Sequence, residues 1–178
     1  DNSGADSDSQ IVTINVTGAN TPPVASADTQ TIGENGLLNS SVPLATDVDG
    51  TIASYTLVET VSSGSLSFNT DGSYSFDPDG DFDNLAAGSS QSVTFTYFAT
   101  DNSGVNSDSQ IVTINVTGVN NPPVASSDTQ TIGENGLLNS SVPVAIDVDG
   151  TIASYTLVDD VSSGSLSFNT DGSYSFDP

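Results

Sequence analysis

The sequence predicts an all-β protein built of antiparallel β-sandwiches of about 100 residues, repeated in tandem. Three observations predict it. Residues 1–78 and 101–178 align without a gap and differ at nine positions. Apolar residues alternate with polar ones in short runs, the period of a half-buried strand. Turn residues return every 8–14 positions, and no stretch carries a helical period.

Residues 21–120 read as one whole unit. Pro22-Pro23 opens it, followed by a strand from Val24 to Ile32, broken near Asp28. Gly33-Glu34-Asn35-Gly36 is a turn. The next strand, about Asn39–Ala45, contains Pro43, which argues for an edge position or a bulge. Asp47-Val48-Asp49-Gly50 turns the chain into Ile52–Val58, with Tyr55 and Leu57 on one face. Ser65–Phe68 and Ser73–Phe76 form a hairpin around Asn69-Thr70-Asp71-Gly72, where glycine supplies a positive φ. A long acidic loop, 77–90, has Leu85 as its expected anchor, with at most one helical turn near Asp83–Ala87. Strands Ser92–Thr100 and Gln110–Thr117 close the unit. The expected inward set is Tyr55, Leu57, Leu66, Phe68, Tyr74, Phe76, Phe95, Tyr97, Val112 and Ile114.

Seven strands in 100 residues make a sandwich of Ig-like size. Residues 1–20 then supply the last strand and linker of a preceding unit, and 121–178 the first five strands of a following one. The latter lack the equivalents of 79–120. The chain therefore reads as a window on a longer polypeptide.

Composition narrows the function. There is no Lys, Arg or His, against 23 acids, of which 20 are Asp. Phosphate recognition needs a basic footprint, so a nucleic-acid partner is not expected. Neither is an anionic membrane surface, and no apolar run reaches spanning length. Without His, Cys or Lys, the usual general base and several nucleophiles are missing, so no enzyme and no small-molecule substrate are expected. With no side-chain cation the acids form no internal side-chain salt bridges. They stay solvated and repel, or external cations neutralise them.

The run Gly72-Ser73-Tyr74-Ser75-Phe76-Asp77-Pro78, Leu85, Gly88, Val93-Thr94-Phe95-Thr96-Tyr97, Thr100-Asp101-Asn102-Ser103-Gly104, Val112-Thr113-Ile114-Asn115-Val116-Thr117-Gly118 and Asn121-Pro122-Pro123-Val124-Ala125 resembles the VCBS-type, cadherin-like repeat. Such repeats build the long middle regions of giant bacterial RTX adhesins. The resemblance implies a secreted protein at the bacterial cell surface, whose partners are neighbouring repeats and whose cofactor is Ca2+. One departure stands out. Family linkers often carry Asn-Asp before the proline, whereas these read Asn20-Thr21 and Asn120-Asn121.

Two motifs carry the candidate chemistry. Asp77, Asp79, Asp81 and Asp83 alternate through one loop and repel unless a cation sits among them. Calcium takes about six to eight oxygens in tolerant geometry. The loop is not an EF-hand, since Asn84 and Ser90 stand where Gly and Glu are required. The second motif is Asp47-Val48-Asp49, repeated as Asp147-Val148-Asp149. In a seven-strand sandwich Asp101 comes near Asp47 and Asp49 at one pole. At the other pole Glu34 and the 77–83 loop face Asp147 and Asp149 across Asn120. The expected reading is a calcium-stiffened stalk. The alternative is a binding module holding a glycan or protein through its loops.

Overall fold

The computed structural model describes residues 2–178; Asp1, the first residue of the expected leading fragment, lies outside them. Ten strands and no helix are present among the described residues. The first seven build one sandwich. β1 (Asp28–Gly33), β3 (Ile52–Glu59), β6 (Ser90–Asp101) and β7 (Gln110–Thr117) form a sheet in the order β1-β7-β6-β3. β2 (Leu38–Ser41), β4 (Ser65–Phe68) and β5 (Ser73–Asp77) form the facing sheet, β2-β5-β4. All pairings are antiparallel except β1 with β7, which is parallel from Asp28↔Val112 to Gly33↔Thr117.

That parallel pair explains the broken first strand. Val24 bridges Thr46. From Asp28 the chain belongs to the sheet of β7. The second strand is shorter than its sequence suggests, ending at Ser41 on the sheet edge because Pro43 has no N–H to continue the ladder.

The core lies between the sheets; Tyr55, Tyr74, Phe76, Phe95, Tyr97, Val112 and Ile114 of the expected inward set belong to it, and Leu57, Leu66 and Phe68 pack against it partly buried. Val112 and Ile114 from β7 and Phe76 from β5 are fully buried. Phe95 packs edge-on against Phe68 and Tyr74, with ring centroids 5.8 and 5.0 Å apart. The Tyr97 hydroxyl donates to the Ser26 carbonyl at 2.6 Å, and the Tyr55 hydroxyl accepts from the Ala45 N–H at 2.9 Å, so both buried phenols are satisfied.

The acidic loop departs from expectation in its anchor. Phe82, not Leu85, is fully buried, edge-on to Phe76 at 6.5 Å, while Leu85 is only partly covered. A phenylalanine among four aspartates reads as loop, yet its large apolar surface gains most from burial. The loop is a series of turns and not a helix, with Asp81, Asp83 and Leu85 N–H groups donating to Pro78, Gly80 and Phe82 carbonyls. Its far end is pinned to the linker: Gly118 donates to the Ser89 carbonyl at 2.9 Å and accepts from Gly88 at 3.0 Å. A side chain at Gly118 would collide with the Leu85 and Ala86 carbonyls, so only glycine lets the linker leave this close to the loop.

Residues 121–178 keep half of this architecture. β8 (Leu138–Ser141), β9 (Ser165–Phe168) and β10 (Ser173–Asp177) form a sheet in the order β8-β10-β9, in the register of β2-β5-β4. Val124 bridges Ile146. Residues 128–133 and 152–158, counterparts of β1 and most of β3, are not strands in this structure, where no strand lies beside them. The expected strand at 11–18 is likewise not formed; Ile11, Val12, Ile14 and Val16 lie exposed.

Candidate functional site

The two linkers enter and leave the complete sandwich at its acidic poles. At the exit, the Gly33–Gly36 turn closes with the Gly36 N–H on the Gly33 carbonyl at 2.9 Å. The Glu34 N–H donates to the Thr117 carbonyl at 2.9 Å, which sets Glu34 where β7 runs into the linker. Glu34 is buried, 3% exposed. Oε1 accepts from the Val119 N–H at 3.2 Å and from Asn121 Nδ2 at 3.1 Å. Asn121 Nδ2 also donates to the Asp83 carbonyl at 3.1 Å, and the Asn121 N–H donates to both oxygens of Asp149 at 3.3 and 3.1 Å. One linker residue therefore ties the complete unit, its acidic loop and the following unit together.

The residue that makes these bonds is Asn121, the neighbour of the expected Asn120. Asn120 Nδ2 donates to the Asn121 carbonyl at 3.3 Å. The preceding linker shows what its counterpart does: Asn20 Nδ2 donates to Asp101 Oδ2 at 2.7 Å. The linker asparagine pair is thus divided, the first facing forward and the second backward. Spacing alone could not separate them.

At the entry pole, the Thr21 N–H donates to both oxygens of Asp49 at 3.2 and 3.1 Å. Asp47 Oδ1 caps its own turn through the Asp49 and Gly50 N–H groups. Asn102 Oδ1 accepts from the Thr51 N–H at 2.9 Å, joining the turns around Asp47 and Asp101. Asn102 was not expected to take part; its position beside Asp101 was the available signal.

Asp101 is 2% exposed. Its Oδ1 accepts from the Ser103 and Val105 N–H groups at 2.8 Å each. The Asn20 amide first, then the Val105 and Ser103 N–H groups, hold its carboxyl below the usual carboxylate range, against the opposing pull of burial. A depressed folded-state pKa adds stability that is present above the unfolded value and lost as pH falls through the folded one. In calcium-free buffer, the melting-temperature advantage of wild type over Asp101→Asn should therefore hold at neutral pH and shrink below about pH 4. A constant advantage down to pH 3 would show that the ionised carboxylate is not its source.

The loop aspartates do not converge. Asp77 Oδ1 accepts from the Asp79 N–H at 3.0 Å, and Asp81 Oδ2 from the Gly64 N–H at 2.7 Å. Asp79 sits at φ 51°, a left-handed conformation that Asp tolerates in turns. Among the described residues no three acidic side chains are grouped so as to hold a metal ion. Asp71 is a turn residue, as expected, with Oδ1 accepting from the Ser73 hydroxyl and N–H.

What the poles hold in common is unsatisfied charge. Glu34 Oε2, Asp47 Oδ2 and Asp147 Oδ1 are buried carboxylate oxygens with no hydrogen-bond partner. A buried carboxylate costs several kcal/mol unless it is paired, and no Lys, Arg or His exists to pair it. These oxygens fit a hard external cation.

Residues 20–118 match the family model of the bacterial cadherin-like domain. The chain belongs to the bacterial cadherin-like domain family. Residues 120–178 of this cadherin-like chain match the bacterial Ig domain model. Domains of both kinds are typically structural modules of extracellular, adhesion type and not enzymes. Among solved structures, the chain is similar to protocadherin gamma B2 extracellular cadherin domains 3–6 (17% identity, TM-score 0.47, 87% of this chain and 38% of that one). It is also similar to mouse clustered PcdhgC3 EC1-3 (13% identity, TM-score 0.41, 88% and 56%). The chain spans less than two thirds of either. No curated protein matches it. Among the described residues, no helix is long and apolar enough to cross a membrane.

Proposed function

We propose that the chain is a stalk segment of a secreted bacterial surface adhesin, in which calcium at each linker stiffens the junction and holds a distal adhesive domain away from the cell. The supporting observation is the buried Glu34 carboxylate, with one oxygen unpartnered, at a linker that bonds to the next unit's Asp149. Calcium, when bound, supplies the positive charge that these oxygens lack.

Glu34, Asp147 and Asp149 are the carboxylates for the complete junction, with the Asp83 carbonyl and the Asn121 amide as neutral oxygens. Asp47, Asp49 and Asp101 serve the junction before it, where Asn20 stands as Asn120 would one unit later. Asp77, Asp79, Asp81 and the Asp83 carboxylate add negative potential beside the first site. Unscreened within about 8 Å at physiological salt, like charges across a linker repel, so a cation there changes an open hinge into a strut. Near-identity of the copies suits a part whose length and stiffness matter more than any individual surface.

Calcium titration by calorimetry, with small-angle scattering and thermal melting before and after EGTA, tests this. Saturable binding, a raised melting temperature and a narrower distribution of interdomain angles are expected. If EGTA altered neither melting nor scattering, the stalk reading would fail and a ligand-binding module would replace it.

A further inference from the structure

We propose that the Asn121 side chain is a calcium-independent latch, which keeps the junction between the two units ordered when calcium is withdrawn. The inference rests on the reading of this linker as a calcium junction. Asn121 Nδ2 lies 3.1 Å from Glu34 Oε1 and 3.1 Å from the Asp83 carbonyl oxygen. Both are acceptors: the carbonyl has no hydrogen to give, and Oε1 already accepts from the Val119 N–H. The amide therefore faces them with its nitrogen. Its two N–H groups draw on two of the oxygens assigned to calcium, in a chain with no Lys, Arg or His to do so. The Asn121 backbone N–H meanwhile holds Asp149 of the following unit. These bonds span two units and need no metal.

An amide suits both conditions of the junction. Turned over, it presents Oδ1, a neutral acceptor of the kind calcium takes, where it presented donors. Ionised aspartate offers acceptors alone, and threonine a single hydroxyl donor. The chain itself carries the comparison, because Asn121 stands where the preceding linker has Thr21. The backbone bond is common to both linkers: the Thr21 N–H reaches Asp49 as the Asn121 N–H reaches Asp149. Only the side chain differs. The threonine hydroxyl is one atom nearer its own backbone, and its one hydrogen cannot serve two acceptors as the amide does. An array that mixes these linkers therefore keeps some junctions set, and frees others, as calcium falls.

Single-molecule energy transfer on the full chain tests the latch. The chain has no cysteine, so Thr94→Cys and Ser167→Cys, both at exposed positions, place one dye on each unit. In EGTA, Asn121→Thr and Asn121→Asp should each broaden the distribution of transfer efficiency beyond that of the unsubstituted linker. Asn121→Asp should broaden it most, since it sets a further carboxylate beside Glu34 and Asp149. In saturating calcium the Asn121→Asp distribution should narrow again. Neither substitution enters the core, so thermal melting of residues 21–120 reports folding separately. Equal widths for all three linkers in EGTA would overturn the latch. A width that ignores calcium in the unsubstituted linker would instead overturn the calcium reading, and the comparison in EGTA would still decide the latch.

Discussion

Truncating Phe95 to alanine is expected to destabilise the complete sandwich by about 3–5 kcal/mol. Phe95 is 1% exposed and its ring meets Phe68 and Tyr74 edge-on from the opposite sheet, so its loss leaves a cavity where the two sheets interlock through three aromatic rings. For a domain of this size that corresponds to a fall in melting temperature of at least about 12 °C. Against a total stability of about 5–15 kcal/mol, it takes a large share. Ile14→Ala, in an exposed segment, should change the same transition by less than about 0.5 kcal/mol. Urea denaturation followed by the near-ultraviolet aromatic signal separates the two. A cost for Phe95→Ala under about 1 kcal/mol would mean that the sheets are not held together by this cluster.

The second large effect concerns the junction. Asp147→Asn with Asp149→Asn should lower calcium affinity at the linker by at least about tenfold, roughly 1.4 kcal/mol, and broaden the scattering-derived angle distribution in calcium. The melting of residues 21–120 should stay within about 0.5 kcal/mol of wild type, since neither side chain enters that core. Glu34→Gln gives a sharper test because its sign reverses. Without metal, it removes a buried, half-satisfied carboxylate and should stabilise the sandwich. With calcium, it removes a ligand and should leave the variant less stable than wild type. A Glu34→Gln chain destabilised equally in EGTA and in calcium would show that Glu34 is purely structural, held for its bonds to Val119 and Asn121.

How far these features could be read from the residues depends on the range of the interactions. The hairpin around Asn69-Thr70-Asp71-Gly72 was legible because turn and strands are contiguous. So was the end of β7 at Thr117, where Gly118 breaks the alternation. The buried anchor of the acidic loop was not legible, because Phe82 finds Phe76 through the path of the whole loop. The candidate site was legible as a set of poles. Asp47-Val48-Asp49 and Asp101 do share one end, joined by Asn102, and Glu34 does face Asp149 through the linker. That Asn121 bonds to Glu34 and to the Asp83 carbonyl needed the linker's direction in space.

By itself, then, the sequence determined the repeat, the alternation that makes each segment a strand candidate, and the hairpin sheet that appears twice. β8, β9 and β10 keep the register of β2, β4 and β5 because these strands need only one another. The tertiary structure decided which of the remaining identical segments become strands at all. Residues 111–118 include the centre of a sheet, while 11–18 lie in solvent. Residues 28–33 and 52–58 lie in strands, while 128–133 and 152–158 do not. Glu34 is buried under its linker, while Glu134 is exposed. The reason is that a strand's hydrogen bonds are made to another strand: alternating residues give a segment its capacity to pair, and only a neighbour brought from far along the chain satisfies it.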